Sequence, residues 1–310
     1  MPVQFGKFDE ICSMVTLPLC PLIGPIANNT QRPQGIAAKC FSRNVDINGF
    51  LIFQPATLII YAVALIMTTI MIYHIKSKYT AVGRKEIVIF FYIYMVTALL
   101  EMLLVSGLIP IGTIVYPYFT AVHLGFVSAL FWCLLLNGFV GFQFIEDGTS
   151  LSLWSIRLSS ALVFGLVTFI AIATFLPIRP FSFSNHIILW IIHYILNGAA
   201  LIIYVISQII LVLNTLDDRW PLGDITFGVL FFTIGQVVIF VFSAKICDTS
   251  KHYIDGLFFG TICNLLSVMM VYKYWDSITK EDLEFSVGSK QNVWEVKQPF
   301  DEDGHPHFPH

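Results

Sequence analysis

Residues 187–213 read IILWIIHYILNGAALIIYVISQIILVL, which is 27 residues from Ile187 to Leu213 without one aspartate, glutamate, lysine or arginine. A helix of about 20 apolar residues crosses the hydrocarbon core of a bilayer. The stretch is therefore long enough for a span, and it lacks the alternation of a barrel strand. Six further runs have the same character: Phe50 to Tyr73, Ile87 to Gly107, Ala121 to Phe142, Leu158 to Leu176, Ile225 to Ala244 and Tyr253 to Tyr272. Together the seven hold 153 of the 310 residues but only two of the 37 charged ones, Glu101 and Asp255. That depletion predicts an all-α polytopic membrane protein, a seven-transmembrane-helix bundle.

Composition agrees. Charged residues make up 12% of the chain, about half of the ~25% that covers a soluble domain, and the mean hydropathy is +0.78. This excludes an ordinary soluble domain, a disordered chain and a nucleic-acid binder; the net charge of -3 offers nothing to a polyanion. Connections are short and carry turn chemistry at Gly83, Asp147-Gly148, Pro177, Pro180 and Pro221-Leu222-Gly223. The expected organisation is a head over 1–49, one helix bundle over 50–272 and an acidic tail over 273–310.

Basic residues near the helix ends set direction. With the N-terminus outside, the inner side holds ten lysines and arginines against seven outside, and four of the ten crowd between Lys76 and Lys85. The expectation is a luminal N-terminus and a cytosolic C-terminus. The sequon Asn28-Asn29-Thr30 then lies in the luminal head, with Asn28 the candidate glycosylation site. Val15 to Ile26 is apolar but interrupted by Pro18, Pro21 and Pro25, so no cleavable signal peptide is expected and the first helix does the targeting. Cys12, Cys20, Cys40 and Cys247 all fall on the outer side. An oxidising lumen allows them two disulfides in three connectivities. Three head cysteines cannot all pair among themselves, so one is predicted to reach Cys247 and staple the head over the bundle; free buried thiols are the alternative.

A charge in hydrocarbon costs at least a few kcal/mol, so Glu101 and Asp255 should face protein or water, or be protonated. Glu101 is either a hydrogen-bonded structural acid or a partner or proton-relay group. Asp255, near the outer end of its helix, reaches the interface more cheaply. His193 and Asn197 lie four apart, as one face of a helix requires, and can bond a neighbouring helix inside the bundle or on another protein. Small residues mark close helix approach: Gly256 and Gly260 in a GxxxG, Ala161 with Gly165, and Gly138 with Gly141. Catalysis needs a convergent set of groups. His252 and Asp255 with the intramembrane His123 and His193 complete no ligand set, and neither a phosphate loop nor a nucleophile elbow is present. No catalytic residue, metal or cofactor is expected. The tail from Tyr274 carries eight acids against three lysines. It is a solvated tail or an acidic, hydrophobic-punctuated peptide for a cytosolic partner, with Phe285 and Trp294 as contacts beside the basic Arg84 and Lys85.

Several separate motifs point to one family. FGKFDEIC (Phe5 to Cys12), LPLCPLIG (Leu17 to Gly24), AVGRKEI (Ala81 to Ile87), FFYIYM (Phe90 to Met95), NGFVGFQ (Asn137 to Gln143), EDGT (Glu146 to Thr149), HYIDGLFFG (His252 to Gly260) and DLEFSVG (Asp282 to Gly288) together resemble the fungal chitin synthase export chaperone family. The resemblance implies a non-enzymatic, multi-pass protein of the endoplasmic reticulum membrane. Its partners would be chitin synthase as client and the lipid bilayer, with export machinery a further candidate and the plasma membrane a further destination. Such proteins keep the synthase from aggregating and enable its export, which supports chitin deposition in the wall. The rival readings are a seven-helix receptor and a transporter. Against the first, Phe142-Gln143-Phe144 ends the third helix without an acidic-Arg-aromatic switch; against the second, no paired broken helices mark a midplane site.

Overall fold

A computed structural model describes residues 6–24, 34–47, 49–79, 81–142, 147–176, 186–215 and 219–291, with side chains, those of Ile47 and Phe50 apart, described as far as Thr279. A short helix α1 (Asp9–Met14) precedes seven helices long and apolar enough to cross a membrane: α2 (Pro55–Ser77), α3 (Arg84–Val105), α4 (Tyr116–Val140), α5 (Ser150–Phe175), α6 (Ile187–Thr215), α7 (Trp220–Thr249) and α8 (Gly256–Gln291). Their starts follow local chemistry. Proline occupies the first turn of α2, α4 and α7, where its missing N–H costs nothing. Thr149 caps α5 by accepting from the Ser152 N–H at 3.3 Å, and Asp255 caps α8 by accepting from the Phe258 N–H at 3.2 Å.

The first apolar run departs from its expected boundary. Phe50–Ile52 is a strand, β2, paired antiparallel with β1 (Val45–Ile47) in the register Val45 to Ile52 and Ile47 to Phe50. Gly49 turns the hairpin at φ +84°, and its N–H bonds the Asp46 carboxylate at 2.9 Å. The helix begins only at Pro55. Among the described residues this hairpin is the one pair of strands beside the helices.

Contacts run from α2 to α3, α4, α6, α7 and α8 and back to α2, which closes a ring; α5 packs outside it, mainly on α4 and also on α3 and the start of α6. Contact between α7 and α8 is the most extensive, while α6 and α7 touch sparsely. Both of these sparse neighbours contain π-helical turns, at Ile191–Leu196 in α6 and Val238–Phe242 in α7. Many hydroxyls in the helices bond the carbonyl one turn back, as Thr68 does to Ala64 at 2.6 Å and Thr97 to Ile93 at 2.8 Å. This satisfies them where no water can.

The N-terminal segment packs across one end of the ring. Phe8, Val15 and Ile23 are essentially inaccessible; Phe8 and Ile23 join Leu104, Leu124, Phe175 and Leu189 of the long helices in one apolar cluster, and Val15 joins Ile239 and Leu257 in another. Burying each such side chain contributes about 1.5–3 kcal/mol. At the opposite end, the loops hold one another. The fully buried Glu86 accepts from the Gly148 N–H at 2.7 Å and the Ser152 hydroxyl at 3.0 Å, while Asp147 accepts from the Gly83 N–H at 2.9 Å. The connections α2–α3 and α4–α5 are thereby tied together.

Candidate functional site

The cysteines fall into two pairs. Cys12 is bonded to Cys20 across eight residues, and Cys40 to Cys247 across 207. The second bond ties the N-terminal segment to the end of α7. His252 lies against it, its Nδ1 3.1 Å from the Cys40 sulfur and 3.1 Å from the Phe41 carbonyl oxygen. Cys40, Cys247 and His252 have the spacing of a ligand trio, but both sulfurs are consumed in the disulfide and neither is a thiolate donor. Cys133 and Cys263 remain free thiols.

The small-residue pairs sort by direction. On α8, a Cβ at Gly256 would lie 2.5 Å from the Ser243 Cβ, and one at Gly260 2.3 Å from the Ile239 Cδ1. This GxxxG receives the π-helical turn of α7. A Cβ at Gly138 would meet Gln208 and Tyr204 of α6 at 2.9 Å, and one at Gly141 would meet Leu211 at 2.9 Å. These four glycines serve packing inside the bundle. Ala161 and Gly165 differ. Both are exposed, and nothing lies within 4 Å of a Cβ built at Gly165. They sit on the outer side of α5 beside the exposed Leu158, Leu162, Leu166 and Phe169.

Charged candidates are largely committed within the chain. Asp255 is 4% exposed and serves as the α8 cap; burial pushes its carboxyl up from the ordinary range, against the opposing pull of the Phe258 N–H. Arg84 donates to the Lys76 carbonyl at 3.1 Å and lies over the Tyr79 ring, and Lys85 reaches the Gly148 carbonyl at 3.4 Å. Asn28 and Trp294 lie outside the described residues, as does the side chain of Phe285, whose backbone belongs to α8.

The π-helical turn of α6 holds His193 and ends at Leu196, just before Asn197. Asn197 donates to the Ser128 hydroxyl of α4 at 3.3 Å, and the His193 ring meets Tyr194 edge-on at 4.9 Å.

Glu101 faces a cavity of about 530 Å³ enclosed by the ring. Its Oε2 is 3.9 Å from the His123 Nε2. The Tyr61 hydroxyl of α2 donates to the same carboxylate and in turn accepts from the Thr261 hydroxyl of α8 at 3.5 Å. Among the described residues, no lysine or arginine lies within ion-pair distance of Glu101. A second cavity, of about 360 Å³, lies toward the other end of the ring. Its polar groups are mutually satisfied: Tyr274 donates to the Gln208 Oε1 at 3.0 Å, and Gln208 to the Gly138 carbonyl at 3.1 Å.

Sequence reasoning passed over Glu86 and Asp224. Asp224 is 7% exposed, 3.2 Å from the Lys273 Nζ, and accepts from the Ser277 hydroxyl at 2.9 Å. Both acids lie just outside the apolar runs and near a helix start, Glu86 in the first turn of α3 and Asp224 just past the first turn of α7, which is the signal that identifies an acid able to tie loops and helix starts.

The sequence profile described as chitin synthase export chaperone matches residues 4–289. A protein of that description from Coccidioides immitis is 55% identical over 301 residues, covering 97% of this chain and 90% of its own. Its counterpart from Gibberella zeae is 52% identical over 299 residues, with 96% and 89% covered. One from Phaeosphaeria nodorum is 55% identical over 294 residues, with 95% and 88% covered. No solved structure matches.

Proposed function

The chain belongs to the chitin synthase export chaperone family, and from that premise we propose that it binds newly made chitin synthase in the endoplasmic reticulum membrane, keeps it from aggregating and lets it proceed to export. The observation that carries this reading is the match along residues 4–289, which takes in the N-terminal segment and all seven long helices rather than one shared motif. The name of the family describes a chaperone and not an enzyme.

Physical chemistry supplies the mechanism. A many-helix client exposes polar and small-residue surface to lipid before it is assembled, and each unsatisfied group there is costly. A stiff bundle can cover such a surface laterally. Two disulfides, the Glu86 and Asp147 loop ties and the α7–α8 glycine seam all favour stiffness. On this reading the client packs against the outer face of α5, where Ala161 and Gly165 permit close backbone approach. The N-terminus is luminal, where disulfides persist, and the acidic tail and the Lys76 to Lys85 loop lie on the cytosolic side.

The test is deletion followed by tracking of the synthase, with gentle-detergent copurification in parallel. Synthase held inside the cell upon deletion, and recovered in stoichiometric amount with this protein, is the expected result. Photoreactive side chains placed on each helix in turn should capture it from α5; capture solely through the N-terminal segment would refute lateral packing.

A further inference from the structure

The cavity inside the ring has the make-up of a ligand site that client binding leaves unused. It follows α8 from Thr261 to Tyr274, a length of about 20 Å at 1.5 Å per residue. Its volume, about 530 Å³, falls within the ~300–1,000 Å³ of pockets that hold small molecules. Most of the wall is hydrocarbon, from residues such as Leu130, Leu134, Leu201, Val205 and Phe232. At one end Glu101 is flanked by Tyr61, Tyr94, Thr97 and Thr261; toward the other, Asp224 is paired with Lys273, Tyr274 with Gln208 and Ser267 with the Gly228 carbonyl, which leaves Glu101 as the acid without a lysine or arginine partner.

The cavity is not sealed. Ile202 and Ile206 of α6 and Val229 of α7 line it, yet they are 61%, 52% and 39% exposed. The mouth therefore lies between the two helices that touch most sparsely in the ring. Both are apolar spans, so the phase outside is hydrocarbon and what enters comes from the bilayer. Glu101 can accept hydrogen bonds but faces no lysine or arginine, and an acid in an apolar pocket gains most from a donor that arrives with its own apolar body.

We propose that this cavity binds one membrane amphiphile with an elongated apolar body and a single hydrogen-bond-donating head, a hydroxyl or an ammonium. The head rests at Glu101 and the body enters between α6 and α7. Sterols supply the hydroxyl version of this chemistry and long-chain bases the ammonium version. A protein helix is a poorer fit, because its backbone cylinder is about 10 Å across with side chains and the space is enclosed by the ring on every other side.

The experiment uses the full chain in phosphatidylcholine nanodiscs, with a photoreactive alkyne sterol and a photoreactive alkyne sphingoid base as separate probes. One probe should label α6, α7 and α8 peptides that face the cavity, saturably and in competition with its unlabelled parent. Gly198→Phe fills the site from a position with nothing within 4 Å of a Cβ, and should lower that labelling at least tenfold. Glu101→Gln keeps an acceptor but removes the charge. It should leave a hydroxyl probe within about twofold and cut an ammonium probe tenfold or more, so the two sources separate. Labelling that does not saturate, or that survives Gly198→Phe in a correctly folded protein, would overturn the proposal. So would a photoreactive residue at Leu201 that captures the synthase in place of lipid.

Discussion

Removing the Cys40–Cys247 bond, as the double variant Cys40→Ser/Cys247→Ser, should cost far more stability than removing Cys12–Cys20. In the chain-entropy account, a crosslink stabilises by restricting the unfolded state, and its worth rises with the logarithm of the loop closed. The separations are 207 and eight residues, which give about 5 kcal/mol and ~2.5 kcal/mol. Both are ceilings, since helices that stay inserted already restrain the chain. Cys133 is completely buried and free, so its reaction with a maleimide dye reports opening of the bundle. In a Cys263→Ala background, the long-loop variant should label about a hundredfold faster than the short-loop variant, since each 1.4 kcal/mol is a factor of ten. Equal rates, or faster labelling when Cys12 and Cys20 are replaced, would refute the claim that the 207-residue loop carries the staple's effect.

Gly260→Leu forces side-chain volume against Ile239, where even a Cβ would lie 2.3 Å from its Cδ1, and should destabilise by about 1–3 kcal/mol. Gly165→Leu, facing open space, should change stability by less than about 0.5 kcal/mol yet lower synthase recovery in copurification. Glu86→Ala strands the Gly148 N–H and the Ser152 hydroxyl. At about 1–3 kcal/mol for each buried group left unpaired, it should open the α4–α5 connection, read as protease cleavage near residue 148 that the wild type resists. Because burial raises the Asp255 carboxyl, the folded state binds its proton more tightly than the unfolded state does. Its contribution is therefore full in acid and is lost as pH rises through the raised value. Melting followed above the ordinary carboxylate range should show a downward slope that Asp255→Asn reduces.

The seven helices were legible because spanning length and charge depletion are set by the bilayer, and no tertiary contact can cancel them. Their ends were less so. Arg157 lies within α5 and Lys76 within α2, since long cationic side chains at a helix end reach the interface and add no hydropathic signal. Phe50–Ile52 reads like the helix that follows it, because a short apolar run does not distinguish strand from helix. Glycine spacing announced close approach but not its direction: Gly256 and Gly260 turn inward, Ala161 and Gly165 outward, and only the packing of α5 outside the ring separates them. The spacing of His193 and Asn197 marked polar groups on one helix, and Asn197 does bond a neighbouring helix at Ser128, but nothing in IIHYIL marks the π-helical turn that holds His193.

Val238–Phe242 has one further consequence. A π turn holds one residue more than an α turn, so it acts as a phase shifter and rotates whatever follows by about 100°. Cys247 comes five positions later and points at Cys40 under that rotated bearing. Straightening this stretch into a regular screw with every residue kept would swing the thiol by about 100° and leave Cys40 without its mate, whereas deleting a single residue removes the extra one and keeps the thiol on its bearing.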